Sequence, residues 1–382
     1  MGRTMKPETQ CVHQGTVSDD ISGGVNSPLC ASSAFSYRNR SEVLYPRYGN
    51  LPNQRAVVQK LCALEGAEDG VLFSSGQGAI SAALLAHLQP GDELVAQTDL
   101  YGGTLQLLQE EIARRGVEIR WVEADAEAIA AAIGEKTRVV YVESPTNPLL
   151  RIIDLRVVVN QARRMGAITV IDNTFASPIN QQPLTLGFDL VVHSGTKYLG
   201  GHSDLSSGVV LGKAELVKPI RATAINLGAT LNPQDAWLLE RSLKTLSLRM
   251  HQHNENAQRL AEFLAGCPAV KQVWYPGLPS HPGHAIAREQ MRGFGGMLAF
   301  ELDQTRIDPD AFLDRLQIIQ AALSLGGVES LISQPTRTSH KGLAPDARAA
   351  MGLNDGVMRL SVGIEHVDDL IQDIQGALAA AN

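Results

Sequence analysis

The stretch from about residue 45 to residue 235 alternates between short apolar runs and segments in which apolar residues recur at helical spacing. The short runs favour strands, and the segments between them favour helices. Buried strands that alternate with helices are typical of a parallel or mainly parallel sheet covered on both faces. The predicted strands are 93–96, 117–122, 138–143, 167–171, 190–193 and 208–211, and the predicted helices include 105–115, 126–133 and 155–165.

The two ends of the chain follow other patterns. Residues 1–44 have weak periodicity and many turn formers, which predicts an N-terminal arm that docks on a partner subunit. After residue 235, a long helical segment through Leu264 is followed by a strand at 294–302 and further α+β alternation. We therefore predict an α/β protein with an arm at 1–44, a large domain with a mainly parallel sheet at 45–235, and a smaller C-terminal α+β domain at 236–382.

Composition narrows the class of protein. The chain has 382 residues and is 44% hydrophobic, enough for a sizeable core in two domains. A net charge of −7 argues against nucleic acid or an anionic membrane as partner, and no apolar run is long enough to span a membrane. The N-terminus lacks the apolar core of a signal peptide, so we expect a cytoplasmic protein. The four cysteines have neither paired nor metal-ligand spacing, which predicts reduced thiols and no metal site.

One lysine stands at a position suited to chemistry. Lys197 follows the apolar run 190–193, and Asp172 ends another run at 168–171. Pyridoxal 5′-phosphate needs a lysine that forms a Schiff base and an acidic partner for its ring nitrogen. Ser194 and Thr196 add hydroxyl groups beside Lys197. Taken alone, Lys197 reads as an ordinary solvated lysine, but this combination favours a cofactor site.

Three polar residues follow three separate apolar runs. Asn147, Asp172 and Lys197 each come just after a predicted strand. In parallel sheets, ligands bind at the carboxyl ends of the strands. We therefore expect the three side chains to share one edge of the sheet.

An ordered set of segments resembles the cystathionine γ-synthase-like group of pyridoxal-phosphate enzymes, also called the Cys/Met metabolism family. The resemblance covers nearly the whole chain and implies the fold of the type I PLP-dependent transferases. It also implies a homotetramer built from two catalytic dimers. The segments are 45–47, 74–79, 99–104, 143–148, 172–175, 191–202, 324–330 and 359–365.

The resemblance implies where the cofactor phosphate binds. Ser75, Gly76 and Gln77 open a predicted helix, whose N-terminal amides suit an anion. Ser194 and Thr196 would add hydroxyl donors to the same phosphate. Tyr45 and Arg47 would reach it from the neighbouring subunit, so that a monomer holds only half of a cofactor site.

The resemblance also implies roles around the reacting atoms. Tyr101 would stack on the cofactor ring, and Asn147 would hydrogen-bond the ring oxygen. Asp172 would hold the ring nitrogen. Lys197 would attach the cofactor and then move protons, assisted by Tyr101 or Tyr45. Without the resemblance, Tyr101 could equally be a loop aromatic residue packed on the sheet, and Asn147 a turn residue.

The implied substrate site lies nearer the C-terminus. Arg359 would pair with the substrate α-carboxylate through two hydrogen bonds, with Asn147, Ser324 and Leu323 close by. Many members that handle cystathionine carry a glutamate at the position of Leu323, and its absence favours an uncharged substrate tail. Gly103 stands where methionine γ-lyases commonly have a cysteine, which weighs against that activity.

We predict a PLP-dependent lyase that releases a thiol, ammonia and a 2-oxo acid from a sulfur amino acid by β- or γ-elimination. Cystathionine γ-lyase and methionine γ-lyase are examples of such activities. The alternative is γ-replacement, as in cystathionine γ-synthase or O-acylhomoserine sulfhydrylase, because the first chemical steps are shared. A noncatalytic ligand-binding protein is disfavoured because Lys197, Asp172 and Arg359 are all retained. A nicotinamide dehydrogenase is disfavoured by the poor glycine fingerprint at 76–81.

Overall fold

The computed structural model describes residues 5–342 and 344–381, so residues 1–4 of the predicted arm lie outside it. Its larger sheet has seven strands in the order β1-β7-β6-β5-β4-β2-β3. The strands from β3 to β6 across this order run parallel, and β7 is antiparallel to both β6 and β1. The predicted mainly parallel sheet is therefore confirmed. The strands are β1 (Asp69–Phe73), β2 (Glu93–Gln97), β3 (Glu118–Val122), β4 (Thr137–Glu143), β5 (Ile168–Asp172), β6 (Leu190–Ser194) and β7 (Gly208–Gly212).

Fifteen α-helices occur in the described residues, some packed on this sheet and others in the C-terminal part of the chain. They are α1 (Pro7–His13), α2 (Pro52–Glu65), α3 (Gly76–His87), α4 (Gly102–Gln106), α5 (Ala126–Ala132), α6 (Leu155–Met165), α7 (Ser177–Asn180), α8 (Pro183–Leu186), α9 (Ala214–Leu227), α10 (Pro233–Leu243), α11 (Leu246–Ala265), α12 (His284–Gln290), α13 (Pro309–Arg315), α14 (Pro345–Ala350) and α15 (Val367–Ala380). A π-helical stretch, Leu107–Ile112, continues α4.

Alternate residues of the central strands supply two separate cores. Val170 and Val192 pack with α3 and α9 on one face, whereas Ile171 and Val191 pack with α5 and α6 on the other. Burial on both faces explains why these strands read as unbroken apolar runs. Each fully buried valine or isoleucine contributes about 1.5–3 kcal/mol relative to an exposed one, which holds the strand ends in fixed positions.

A second sheet of five strands has the order β10-β11-β12-β9-β8. Its strands are β8 (Val270–Trp274), β9 (Met297–Leu302), β10 (Gln320–Ala321), β11 (Leu331–Ser333) and β12 (Val357–Ser361). One apolar cluster contains Val209 and Leu211 of the first sheet together with Met297 and Ala299 of the second. The two sheets therefore share a core, and the division into domains at residue 235 stays a prediction.

The structure differs from the sequence prediction in three whole elements, besides shifts at element ends such as the start of β9 at Met297 rather than at 294. Strand β1 was not predicted, because its five residues include a glycine and give a weak strand pattern. The long helical segment through Leu264 is two helices, because Thr245 leaves the helical conformation and bonds the Ser242 carbonyl at 3.2 Å. The arm contains helix α1, which is anchored by the fully buried Cys11. No helix in the described ranges is long and apolar enough to cross a membrane.

Candidate functional site

The carboxyl ends of β4, β5 and β6 open onto a cavity of about 800 Å³. As expected, Asn147, Asp172 and Lys197 meet at this edge of the sheet. Segments from the second sheet close the opposite side. The predicted site residues that line the cavity are Ser75, Gly76, Gln77, Tyr101, Asn147, Asp172, Ser194, Thr196, Lys197, Leu323, Ser324 and Arg359.

Tyr45 and Arg47 do not line the cavity of their own chain. The Arg47 guanidinium donates to the carbonyl of Ile225 at 2.9 Å and lies 5.4 Å from the ring centre of Tyr48. Tyr45 is 42% exposed. The described contacts of this pair therefore lie away from the cavity of its own chain.

Lys197 lies in a tight turn after β6, where its backbone N–H donates to the carbonyl of Ser194 at 3.2 Å. Its Nζ donates to the Ser324 hydroxyl at 2.8 Å. Burial, with a smaller effect from the Arg359 charge, lowers the pKa of Lys197 to about 8. A free amine is the nucleophilic and basic form of lysine, so this setting prepares Lys197 for both roles at neutral pH.

Ser324 has a positive φ of 93°, a conformation that costs a non-glycine residue about 1–3 kcal/mol. In this conformation Ser324 accepts hydrogen bonds from two neighbouring side chains. The Ser324 hydroxyl accepts from Lys197, and its carbonyl accepts from Arg359 Nη2 at 3.3 Å. The strained residue thus links the lysine to the arginine.

Asp172 is a buried carboxylate at the end of β5 and lies opposite Glu143 of β4 in the strand register. It accepts the Thr174 N–H at 2.9 Å. Burial raises the pKa of Asp172. A carboxylate in this setting is stabilised when a cation or a strong donor binds to it, as a protonated ring nitrogen would.

Glu143 also lines the cavity, although the sequence predicts no role for it. Its Oε2 accepts the Tyr101 N–H at 3.0 Å, which fixes the start of the Tyr101 loop. Burial, and next the Asp172 charge, raise the pKa of Glu143 well above its ordinary value. The available signal was its place at the end of a predicted strand, beside the strand that ends in Asp172.

An anion site is formed where α3 begins. Ser75 is the N-cap residue, and its hydroxyl accepts the Gly78 N–H at 3.0 Å. The next two residues, Gly76 and Gln77, carry first-turn amides and line the cavity. A Cβ atom on Gly76 would lie 2.8 Å from Ser194 Cβ, so only glycine lets the helix approach β6 this closely. Helix dipole and amides together favour a phosphate here.

Arg359 of β12 is buried, and its described hydrogen-bond partners are Asn147 Oδ1 at 2.9 Å and the Ser324 carbonyl. Burial lowers the pKa of Arg359 to about 10, which leaves it charged at neutral pH. Neither partner is an anion. A buried guanidinium without a carboxylate partner is ready to bind one from a ligand.

Together these groups fit a cofactor with an aldehyde, a basic ring nitrogen and a phosphate. The Lys197 amine, the Asp172 carboxylate and the α3 N-terminus match those three groups, and Tyr101, 48% exposed, lies beside them. No cluster of three metal-ligating side chains occurs in the part of the chain that the structure covers.

Comparisons with known proteins agree with this chemistry. The sequence profile of the Cys/Met metabolism PLP-dependent enzymes matches residues 8–379. Cystathionine beta-lyase of Lactococcus lactis subsp. cremoris (strain MG1363) is 42% identical over 376 residues, covering 97% of this chain and 98% of that protein. Cystathionine gamma-synthase of Escherichia coli (strain K12) is 43% identical over 385 residues, covering 99% of each. The crystal structure of cystathionine gamma-lyase from Lactobacillus plantarum, complexed with L-serine, has a TM-score of 0.95 and 39% identity and covers 99% of both chains.

Proposed function

Since the chain belongs to the Cys/Met metabolism PLP-dependent enzyme family, we propose that it is a carbon–sulfur lyase acting on a sulfur amino acid by β- or γ-elimination. Membership confirms the predicted cofactor, pyridoxal 5′-phosphate. The observation that carries the proposal is the pairing of a partly buried lysine with a buried arginine through Ser324. This arrangement would hold an amino acid by its carboxylate, with its α-carbon near an amine.

The residues of the chain divide the work. The α3 N-terminus with Ser194 and Thr196 would hold the cofactor phosphate, and Asp172 would keep the ring nitrogen protonated. When bound, pyridoxal phosphate supplies an electron sink that stabilises negative charge at the substrate α-carbon. Arg359 would fix the substrate carboxylate. The Lys197 amine would then remove the α-proton and deliver a proton to the sulfur, which leaves as a thiol.

We further propose that two copies of the chain complete each site and that two such dimers form a homotetramer. Tyr45 and Arg47 lie outside their own cavity, which supports this arrangement. The arm carries apolar side chains that a partner would cover, with Ile21 at 99% and Val25 at 90% exposure. A cytoplasmic location is also part of the proposal, supported by four free cysteines.

The test is product identification after incubation with cystathionine, methionine or cysteine, and with O-acylhomoserine plus cysteine. A lyase releases a 2-oxo acid and ammonia without an added thiol. Formation of cystathionine from the last mixture would instead favour γ-replacement, which the 43% identity to a cystathionine gamma-synthase keeps as the second candidate. A Lys197→Ala variant is the control, and equal turnover by that variant would refute both activities.

A further inference from the structure

Two buried hydroxyl groups lie unused beside the cavity. Tyr141 of β4 is fully buried, and its hydroxyl oxygen has no hydrogen-bond partner among the described residues. The Thr104 hydroxyl, also buried, is likewise without a partner in that part of the chain. Buried hydroxyls are normally paired, so each such group calls for an explanation. The Tyr141 ring packs in an apolar cluster, and the polar side chains that act on its hydroxyl include those of Thr104 and Asp172.

The strand register places Tyr141 beside Asp172. Tyr141 pairs with Val170, and Glu143 pairs with Asp172, so Tyr141 and Asp172 are diagonal neighbours on β4 and β5. Alternate residues of a strand share a face, so these side chains project from the same face of the sheet. Neighbouring strands lie about 4.8 Å apart and two residues along a strand rise about 6.6 Å, so diagonal neighbours are about 8 Å apart, a distance that a tyrosine side chain can span. After burial, the Asp172 charge is the main reason why the pKa of Tyr141 is raised.

We propose that Tyr141 is a positioning residue that donates its hydroxyl hydrogen to Asp172 and keeps this carboxylate ionised when the cofactor ring is bound. Asp172 already accepts the Thr174 N–H at 2.9 Å, but the Glu143 carboxyl lies opposite it in the register, so a second donor would further favour its charged form. On the other side, His193 of β6 is paired with Glu65 at 2.6 Å. Donors to a carboxylate favour its charged form, and a charged Asp172 binds a protonated ring nitrogen more tightly. The inference rests on the proposed role of Asp172.

The test uses Tyr141→Phe, which removes the hydroxyl and keeps the ring. Equilibrium dialysis of the apoprotein would give the dissociation constant of pyridoxal phosphate at several pH values. Loss of a hydrogen bond to a charged group should raise that constant by about ten- to a hundredfold. The pH at which binding is lost on acidification should also rise, because Asp172 becomes protonated more easily.

Tyr275→Phe is the matched control. Tyr275 is also fully buried, but its hydroxyl donates to the Gly295 carbonyl at 3.0 Å and its ring packs in the core of the second sheet. The Tyr275→Phe substitution should lower thermal stability and leave cofactor binding and the pH dependence of that binding unchanged. A merely structural role for Tyr141 would give the same result as this control.

Asp172→Asn and the double variant with Tyr141→Phe separate the two ideas. If Asp172→Asn leaves cofactor affinity unchanged, the proposed role of Asp172 fails. If Asp172→Asn weakens binding while Tyr141→Phe matches the wild type, only the inference about Tyr141 is wrong. The inference also fails if Tyr141→Phe weakens binding equally in the Asp172→Asn background, because the two effects would then be independent.

Discussion

Replacing Arg359 with leucine should raise the pKa of the Lys197 amine and slow its reaction with the cofactor. Burial and the Arg359 charge together lower that pKa from 10.5 to about 8, and burial is the larger cause. Leucine removes the positive charge but keeps the site apolar. The pKa of Lys197 should therefore rise above 8 while remaining below the ordinary value.

The size of the effect follows from the fraction of neutral amine. At pH 7, a lysine with a pKa of about 8 is neutral in about one molecule in ten. With the ordinary value of 10.5, about one molecule in three thousand would be neutral. The wild-type environment thus supplies about a 300-fold gain in reactive amine. If the pKa of Lys197 rises by one unit in the Arg359→Leu variant, the fraction of neutral amine at pH 7 falls about tenfold.

The assay is the rate at which the apoprotein acquires the visible absorption of bound cofactor, measured between about pH 7 and pH 10. The wild-type rate should rise with pH to a plateau with its midpoint near 8. Arg359→Leu should move the midpoint to higher pH. Arg359→Lys keeps a positive charge at this position and should leave the midpoint close to that of the wild type.

Two results would refute this reasoning. A wild-type midpoint near the ordinary lysine value would mean that burial does not depress the pKa of Lys197. An Arg359→Leu midpoint equal to or below that of the wild type would mean that the arginine charge does not act on the amine. Lys197→Ala should give no pH-dependent signal, which checks that the absorption reports this lysine.

Three further predictions concern the cofactor, the assembly and the substrate. Borohydride should reduce the bond between Lys197 and the cofactor. The visible absorption of the bound cofactor should then bleach, and the mass of the cofactor should remain on Lys197. Mass spectrometry that finds no modified Lys197 would contradict the assignment. The Arg47→Ala variant should retain the cofactor poorly. Mixing it with a chain mutated at Ser194 and Thr196 should restore retention, because a mixed dimer contains one intact site. If subunits exchange and retention does not recover, Arg47 acts elsewhere. Leu323→Glu should raise kcat/KM for cystathionine relative to methionine by a factor equivalent to roughly 1.5–3 kcal/mol, since a carboxylate can pair with the distal ammonium, and an unchanged ratio would mean that another residue recognises that group.

The reactive edge of the sheet was predictable because it depends on local patterns. Asn147, Asp172 and Lys197 each follow a buried run, and parallel strands bring such positions together. Tyr141 was not predictable in this way. It lies inside an apolar strand, where a tyrosine looks like an ordinary core residue, and only the register with β5 places it near Asp172.

Other features depend on distant parts of the chain. The pairing of Lys197 with Ser324 joins residues 127 positions apart, and the positive φ of Ser324 has no signature in sequence spacing. Strand β1 joins the sheet by pairing with β7, which lies more than a hundred residues later in the chain. No role could be assigned to Tyr45 and Arg47 from local patterns, because neither residue lines the cavity of its own chain.

The two halves of the cavity come from different stretches of sequence. Residues 75–197 supply the groups suited to the cofactor, and residues 323–359 supply the outer wall and the arginine. Apart from Ser324 and Arg359, which act on Lys197, residues of the second stretch such as Leu323 can therefore change without altering the lysine, the aspartate or the helix N-terminus. The wall that faces the substrate tail can therefore vary independently of the groups suited to the cofactor.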